Sequence, residues 1–223
     1  MAVPASDVSA SLPADWCERL RRSLLALPDH RPEHSRLGGL ATSSQQLREQ
    51  LLENQPAMLA AAVLVPIITA PGAPALLLTV RASHLRRHAG QISFPGGRLE
   101  ATDLDIAAAA IRETGEEIGI GAQFIEPIGF LSDLLVQTGY RITPVVALLR
   151  PGFTLSADST EVAEVFELPL AAAVAPQSYR LRRRVLRGLE VEGWELPFGG
   201  YEIWGATAGI LANLREVFGA FGP

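Results

Sequence analysis

The chain has 223 residues, 48% of them hydrophobic, with 19 basic and 24 acidic side chains and a net charge of −5. That predicts one globular domain with an extension, and it excludes a general nucleic-acid binder, which would carry a basic surplus. No apolar run approaches the ~20 residues of a membrane-spanning helix, so no membrane partner is expected.

In chain order, residues 1–55 read as an N-terminal helical extension and linker, and 56–223 as the main domain. The first residues include Asp7 and lack a basic-then-apolar leader pattern, so a cytoplasmic protein is expected. The spacing of Trp16, Leu20, Leu24 and Leu27 predicts an amphipathic helix over 15–27, stopped by Pro28. Cys17 is the single cysteine. It admits no internal disulfide and reads as a small buried hydrophobe. A polar linker over 28–42 leads to a short helix over 43–52. Strands are predicted over 59–69 and 75–81, joined by the turn Pro71-Gly72-Ala73-Pro74. A helix follows over 104–118, with Thr102 or Asp103 as N-cap and Gly119 as a left-handed C-cap. Further strands are predicted over 124–131 and 142–149. The remainder is an acidic stretch over 161–167, an apolar one over 168–175, an arginine-rich one over 179–192, and a strand-then-helix over 201–218.

The chemistry concentrates in 97–119, GRLEATDLDIAAAAIRETGEEIG. Glu113, Glu116 and Glu117 have the i, i+3, i+4 spacing of one helix face, where like charges repel. They also lie near the helix C-terminus, where the dipole disfavours negative charge. The alternative is a solvated acidic face. The two penalties together point to a missing hard cation, Mg²⁺ or Mn²⁺, held by carboxylates and bridging to phosphate. Gly96 and Gly97 put bare backbone beside that helix, where a carbonyl can join a metal shell and amides can face phosphate. The chain has no Lys, which removes Schiff-base chemistry; its cations for phosphate are arginines.

Gly97, Asp103, Arg112-Glu113, Glu116-Glu117 and Gly119-Ile120 resemble the Nudix box, G-x5-E-x7-R-E-U-x-E-E-x-G-U, where U is bulky and aliphatic. Asp103 replaces the first Glu, the interval from Asp103 to Arg112 is one residue longer, and Thr114 replaces a U. The stretch LLTVRASHLRRHAGQISFPGG, 77–97, is similar to the motif of the coenzyme A pyrophosphatase branch, through Arg81, Arg86, Gly90, Phe94, Gly96 and Gly97 among others. The likeness extends over about 57–215. It implies an α/β fold, the Nudix α/β/α sandwich with a mixed sheet. It implies that Glu113, Glu116 and Glu117 are catalytic and, with Gly97, hold Mg²⁺ or Mn²⁺. It implies that Arg81, Arg86, Gly96 and Gly97 bind substrate, while Asp103, Arg112 and Gly119 shape the box, Arg112 pairing with Glu100 or Asp103. Glu116 within the box, and Glu161 and Glu164 outside it, are candidates for a general base.

The implied reaction is hydrolysis of the diphosphate of coenzyme A (CoA) or an acyl-CoA, giving 3′,5′-ADP and 4′-phosphopantetheine or its acylated form. Alternatives are another nucleoside diphosphate derivative, such as ADP-ribose or NADH, or a non-catalytic Nudix module. The partner is a small-molecule substrate, and a homodimer is carried as one option for assembly. The cluster Arg182-Arg183-Arg184, with Arg187, reads as a solvated face or a contact to the 3′-phosphate or a subunit neighbour, and Trp204 reads as core, with stacking on adenine as the alternative.

Overall fold

The computed structural model describes residues 12–31, 34–41, 49, 53, 58–69, 73–85, 88–186 and 188–219. The helix expected over 43–52 lies, apart from residue 49, outside them, as do Pro71, Gly72, Arg86, Arg87 and Arg187.

Helix α1 (Trp16–Ser23) is shorter than its apolar stripe suggests. Leu24 turns extended, and Leu25 exchanges two backbone hydrogen bonds with Phe130 (3.0 and 2.9 Å). Leu27 is left 78% exposed. Pairing with a strand thus ends the helix before Pro28 is reached. Strand β1 (Arg36–Leu37) precedes β2 (Leu59–Ile68) and β3 (Ala75–Arg81). Short strands β4 (Ile92–Ser93) and β5 (Gly96–Arg98) lead into helix α2 (Ile106–Ile118). Then come β6 (Ile125–Phe130), β7 (Leu134–Val136), β8 (Tyr140–Leu149), β9 (Val162–Pro169) and helix α3 (Leu170–Val174). The chain closes with β10 (Arg180–Leu186), β11 (Leu189–Phe198), β12 (Tyr201–Trp204) and helix α4 (Gly205–Gly219).

Among the described residues, the strands form a nine-stranded mixed sheet and a three-stranded antiparallel sheet, β10-β11-β12. The period-2 alternation of the central strands sends side chains to two cores. Leu77, Leu64, Ala147 and Leu149 meet Ala109, Ala110 and Ile118 of α2 on one face. Leu76, Leu78, Val65 and Val146 meet Leu20 of α1, Leu170 of α3 and Leu211 of α4 on the other. This is the expected α/β/α sandwich. The described part of the first 55 residues packs onto it: Leu20 is fully buried, and β1 runs parallel to β7.

The hairpin of β2 and β3 is short. Only Ile67↔Leu76 and Ile68↔Ala75 pair. Beyond them β2 follows β8 in parallel and accepts β5 at Ala61–Val63, while β3 takes β4 at Thr79 and Val80 and β9 on its other side. The strands therefore splay, and the Phe94–Gly97 segment enters the wedge.

Helix α2 starts at Ile106, two residues later than expected. Its N-cap is Asp105, whose carboxylate accepts the Ala108 N–H at 2.8 Å; neither Thr102 nor Asp103 caps it. Leu104 lies outside the helix and is 97% exposed. Gly119 is the left-handed C-cap, with φ 76°. The acidic stretch over 161–167 and part of the apolar one are strand β9, and the arginine-rich stretch is the hairpin of β10 and β11.

Candidate active site

The three helix acids do not share one environment. Glu117 is 5% exposed; one carboxylate oxygen faces the Gly96 N–H at 3.3 Å, and the other lies 3.8 Å from Arg81 Nη1. Loss of water pushes its carboxyl up to about 7, against the pull of the Gly96 amide and Arg81. The nearby charges of Glu161 and Glu113 add to the rise. Burial likewise raises Glu113, opposed by Arg112. Glu116 is exposed, lies off the cavity wall, and is held by Arg112 Nη1 at 3.0 Å. Part of the repulsion inferred from spacing is thus relieved by an arginine. The carbonyl end of the helix is also satisfied: Ser156 and Asp158 donate their N–H groups to Ile118 O and Glu117 O at 3.0 and 2.9 Å.

Arg112 pairs with Asp103 through Nε (2.9 Å) and Nη2 (3.1 Å), and Nη2 also donates to Arg98 O. Glu100 contributes its backbone N–H to Asp103, at 2.8 Å, rather than its side chain. Thr114 is fully buried, with its hydroxyl on Ala110 O at 2.7 Å, so it fills an apolar position without an unpaired group.

Gly96 and Gly97 sit where side chains do not fit. Gly96 has φ 154°, and a Cβ there would press on the Ala62 and Val63 backbone. A Cβ on Gly97 would land on the Glu113 carboxylate. Glu161 is set beside these groups by its own backbone: its carbonyl accepts the Ala82 N–H at 2.8 Å, and its N–H donates to Asp158 O at 3.0 Å. Glu164 lies off the cavity, its carboxylate accepting the Tyr201 hydroxyl at 2.5 Å.

One cavity of about 590 Å³ joins these features. Glu113, Glu117, Glu161, Arg81, Gly96 and Gly97 line it together. Arg86 falls outside the described residues. Among the described residues, no three His, Cys, Asp or Glu side chains stand close enough to enclose a metal as they are. His88 lines the cavity with its Nδ1 on Gln91 Oε1 at 2.8 Å, and it adopts φ 59°.

The cavity also holds residues for which the sequence left the role open or favoured the core. Trp204, expected in the core, is 38% exposed on the cavity wall, and the Arg184 guanidinium lies 4.5 Å over its ring. An apolar neighbourhood, EIWGATAG, hides that position in the sequence. Strand alternation turns Arg183 away from Arg180, Arg182 and Arg184. Arg180 and Arg182 lock onto Glu195 and Glu202, and Arg183 lies 3.6 Å from Glu192. Arg184 is 3.6 Å from Glu195 and lines the cavity. The segment Leu37–Leu40 forms another wall. Gly38 N–H binds Leu135 O (2.9 Å), and Gly39 O accepts the Trp194 N–H (2.8 Å), so it ties the large sheet to the small one.

Comparison with known proteins agrees with this geometry. The NUDIX domain family model matches residues 58–189. The chain is 42% identical over 175 residues to the uncharacterized Nudix hydrolase NudL of Salmonella paratyphi B, covering 78% of this chain and 91% of that one. NudL of Salmonella newport gives the same values. Among solved structures, the Nudix hydrolase RenU of M. smegmatis superposes with TM-score 0.50 at 20% identity, covering 74% of this chain and 88% of that chain, which shows the fold.

Proposed function

The chain belongs to the Nudix hydrolase family and is a pyrophosphohydrolase, and we propose that its substrate is coenzyme A or an acyl-CoA. The observation that carries this reading is the continuity of one cavity from the acids to the Arg184–Trp204 pair. CoA needs both ends: a diphosphate to cleave, and an adenine with a 3′-phosphate to recognise. A tryptophan face suits a base, and a guanidinium beside it suits a phosphate. The likeness of 77–97 to the CoA pyrophosphatase motif supports the same substrate.

The acids fit a hard divalent cation by their chemistry, since carboxylate oxygens concentrate around Glu117 with a single arginine, Arg81, 3.8 Å away. Glu113 and Glu117 would hold Mg²⁺ or Mn²⁺, with the Gly97 carbonyl beside them and Glu116 at the outer edge. Such an ion, when bound, offsets charge on the diphosphate and lowers the pKa of a coordinated water. The chain's own groups do the rest. Arg81 meets the diphosphate, and the Gly96–Gly97 backbone leaves room for it. Glu161, free of the tyrosine contact that occupies Glu164, accepts the proton of the attacking water. A P–O bond forms to that water, the bridging P–O bond breaks, and phosphopantetheine and 3′,5′-ADP leave.

The test is product analysis on CoA, acyl-CoAs, NADH and ADP-ribose with Mg²⁺ or Mn²⁺. Release of 3′,5′-ADP from CoA at the highest kcat/KM of the panel is expected. Preference for ADP-ribose or NADH would overturn the substrate, and no turnover of any would leave a binding module.

A further inference from the structure

Among the described residues, two buried side-chain nitrogen or oxygen atoms lack a hydrogen-bond partner: Arg81 Nε and Gln137 Nε2. Both residues line the same cavity. Buried polar groups are nearly always paired, and an unpaired one costs stability. Two on one cavity wall therefore mark where a ligand supplies the missing acceptors. Arg81 is accounted for by the diphosphate. Gln137 is not.

Gln137 sits on the turn between β7 and β8, after Val136 and before Tyr140. The turn is held by its own backbone, with Gly139 N–H on Val136 O at 3.1 Å and Leu59 N–H on Gly139 O at 2.9 Å. The cavity lining near it is uncharged: Leu135 and Val136 on β7, Leu37 on the neighbouring strand β1, and Thr138 and Tyr140 just after it. A charged acceptor is poorly matched to such surroundings, while a neutral carbonyl oxygen or ring nitrogen is well matched. We propose that Gln137 is a specificity-determining residue whose amide donates to a neutral acceptor on the substrate, beyond its diphosphate. This rests on the cavity being the substrate site, as argued above. In CoA that chemistry has two sources, an amide carbonyl of the pantetheine arm and a ring nitrogen of adenine.

The test uses Gln137→Met, which keeps length and loses the donor, and Gln137→Glu, which puts an acceptor where the donor was. Melting temperature is measured without ligand, and kcat and KM on the diphosphate that the wild-type enzyme cleaves best. The Met variant is expected to melt no lower than wild type, because its amide has no protein partner to lose. Its KM should rise about 3- to 10-fold with kcat little changed, the worth of one neutral hydrogen bond made alike in ground and transition states. The Glu variant should be worse than Met. Two further substrates separate the sources: an adenosine diphosphate ester without a pantetheine arm, and a CoA analogue with a different base. If the arm is read, the Met variant's defect vanishes on the first. If adenine is read, it vanishes on the second. A Met variant that binds and turns over like wild type, or one that loses stability and activity together, overturns the assignment. Failure of wild-type enzyme on CoA would refute the substrate reading alone, since Gln137 is then tested on whichever diphosphate is cleaved.

Discussion

At Glu117 a carboxylate is kept nearly dry, with Arg81 at 3.8 Å as its closest counter-charge. Its pKa in the fold, about 7, lies above the ordinary 4.5. The folded state therefore binds this proton more tightly than the unfolded one. The resulting stability is complete below pH 4.5 and is lost as pH rises through about 7. In chelator, the wild-type melting temperature should fall between pH 5 and pH 8, by up to ~10 °C for an upper limit of ~3 kcal/mol. Glu117→Gln should lack that fall while losing ~10²-fold or more in kcat with Mg²⁺. Parallel melting curves against pH for the two proteins would contradict the burial argument. Of the three base candidates, Glu116 is held by Arg112 off the cavity, and the other two separate at the same scale. Glu161→Gln should lower kcat by ~10²-fold. Glu164→Gln should leave kcat within ~3-fold, because its carboxylate is spent on Tyr201 outside the cavity. Equal losses in both would remove Glu161 from its role.

The loop ahead of α2 shows how an element positions these groups. Pairing of Val63↔Gly96 and Ala62↔Gly97 lays the glycines against β2 so closely that each lacks room for a methyl group, for different reasons. On Gly97 the obstacle is the end of a flexible side chain, the Glu113 carboxylate; on Gly96 it is backbone. Gly97→Ala should therefore fold, melting within a few degrees of wild type, yet lose ~10²-fold in activity as Glu113 is displaced. Gly96→Ala should lose the fold itself. A fully active Gly97→Ala enzyme would mean the loop does not meet the ligand. Such elements were largely legible in the sequence. Strand β3, Ala75–Arg81, has the expected bounds, and Gly119 caps as expected, because apolar periodicity and a glycine at a helix end are local signals. What failed was set by distant partners. Helix α1 ends early because Leu25 pairs with Phe130, and Asp103 does not cap because Arg112 claims it. Helix spacing pointed to the acid end of the cavity, but only Glu113 and Glu117 of the three acids reach it. Its far wall was less legible: Trp204 reads first as core, Gln137 and Gly38 look ordinary in sequence, and only β11, β12 and the β7–β8 turn bring them to one cavity.

At the scale of the whole molecule, the site lies between two sheets. Helix α2, packed on the large sheet, carries Glu113 and Glu117, the small sheet carries Arg184 and Trp204, and the segment from Leu37 to Ala41 binds the two sheets: Leu40 bridges to Gly193, and the Ala41 N–H meets Glu192 O at 2.9 Å. On the proposed reading, recognition and chemistry are thus held apart, which makes them separable by mutation. A CoA hydrolase must read the 3′-phosphate, the one group that distinguishes CoA from dephospho-CoA. Arg81 is beside Glu117, so on the proposed reading it would meet the diphosphate, which both substrates share. Arg180 and Arg182 are locked to Glu195 and Glu202, leaving Arg184 as the described member of β10 that reaches the cavity. A charge-assisted pair to a phosphate is worth roughly 1.5–3 kcal/mol, so Arg184→Gln should lower kcat/KM on CoA by about 10- to 150-fold. Dephospho-CoA should be cleaved almost as before, so the ratio of the two kcat/KM values collapses toward one. Arg81→Gln should lower both and leave the ratio intact. If Arg184→Gln also lowers both equally, it acts on the diphosphate or holds Trp204 in place. If wild-type enzyme already cleaves the two substrates equally, there is no reader of the 3′-phosphate, and the substrate is a simpler nucleoside diphosphate derivative.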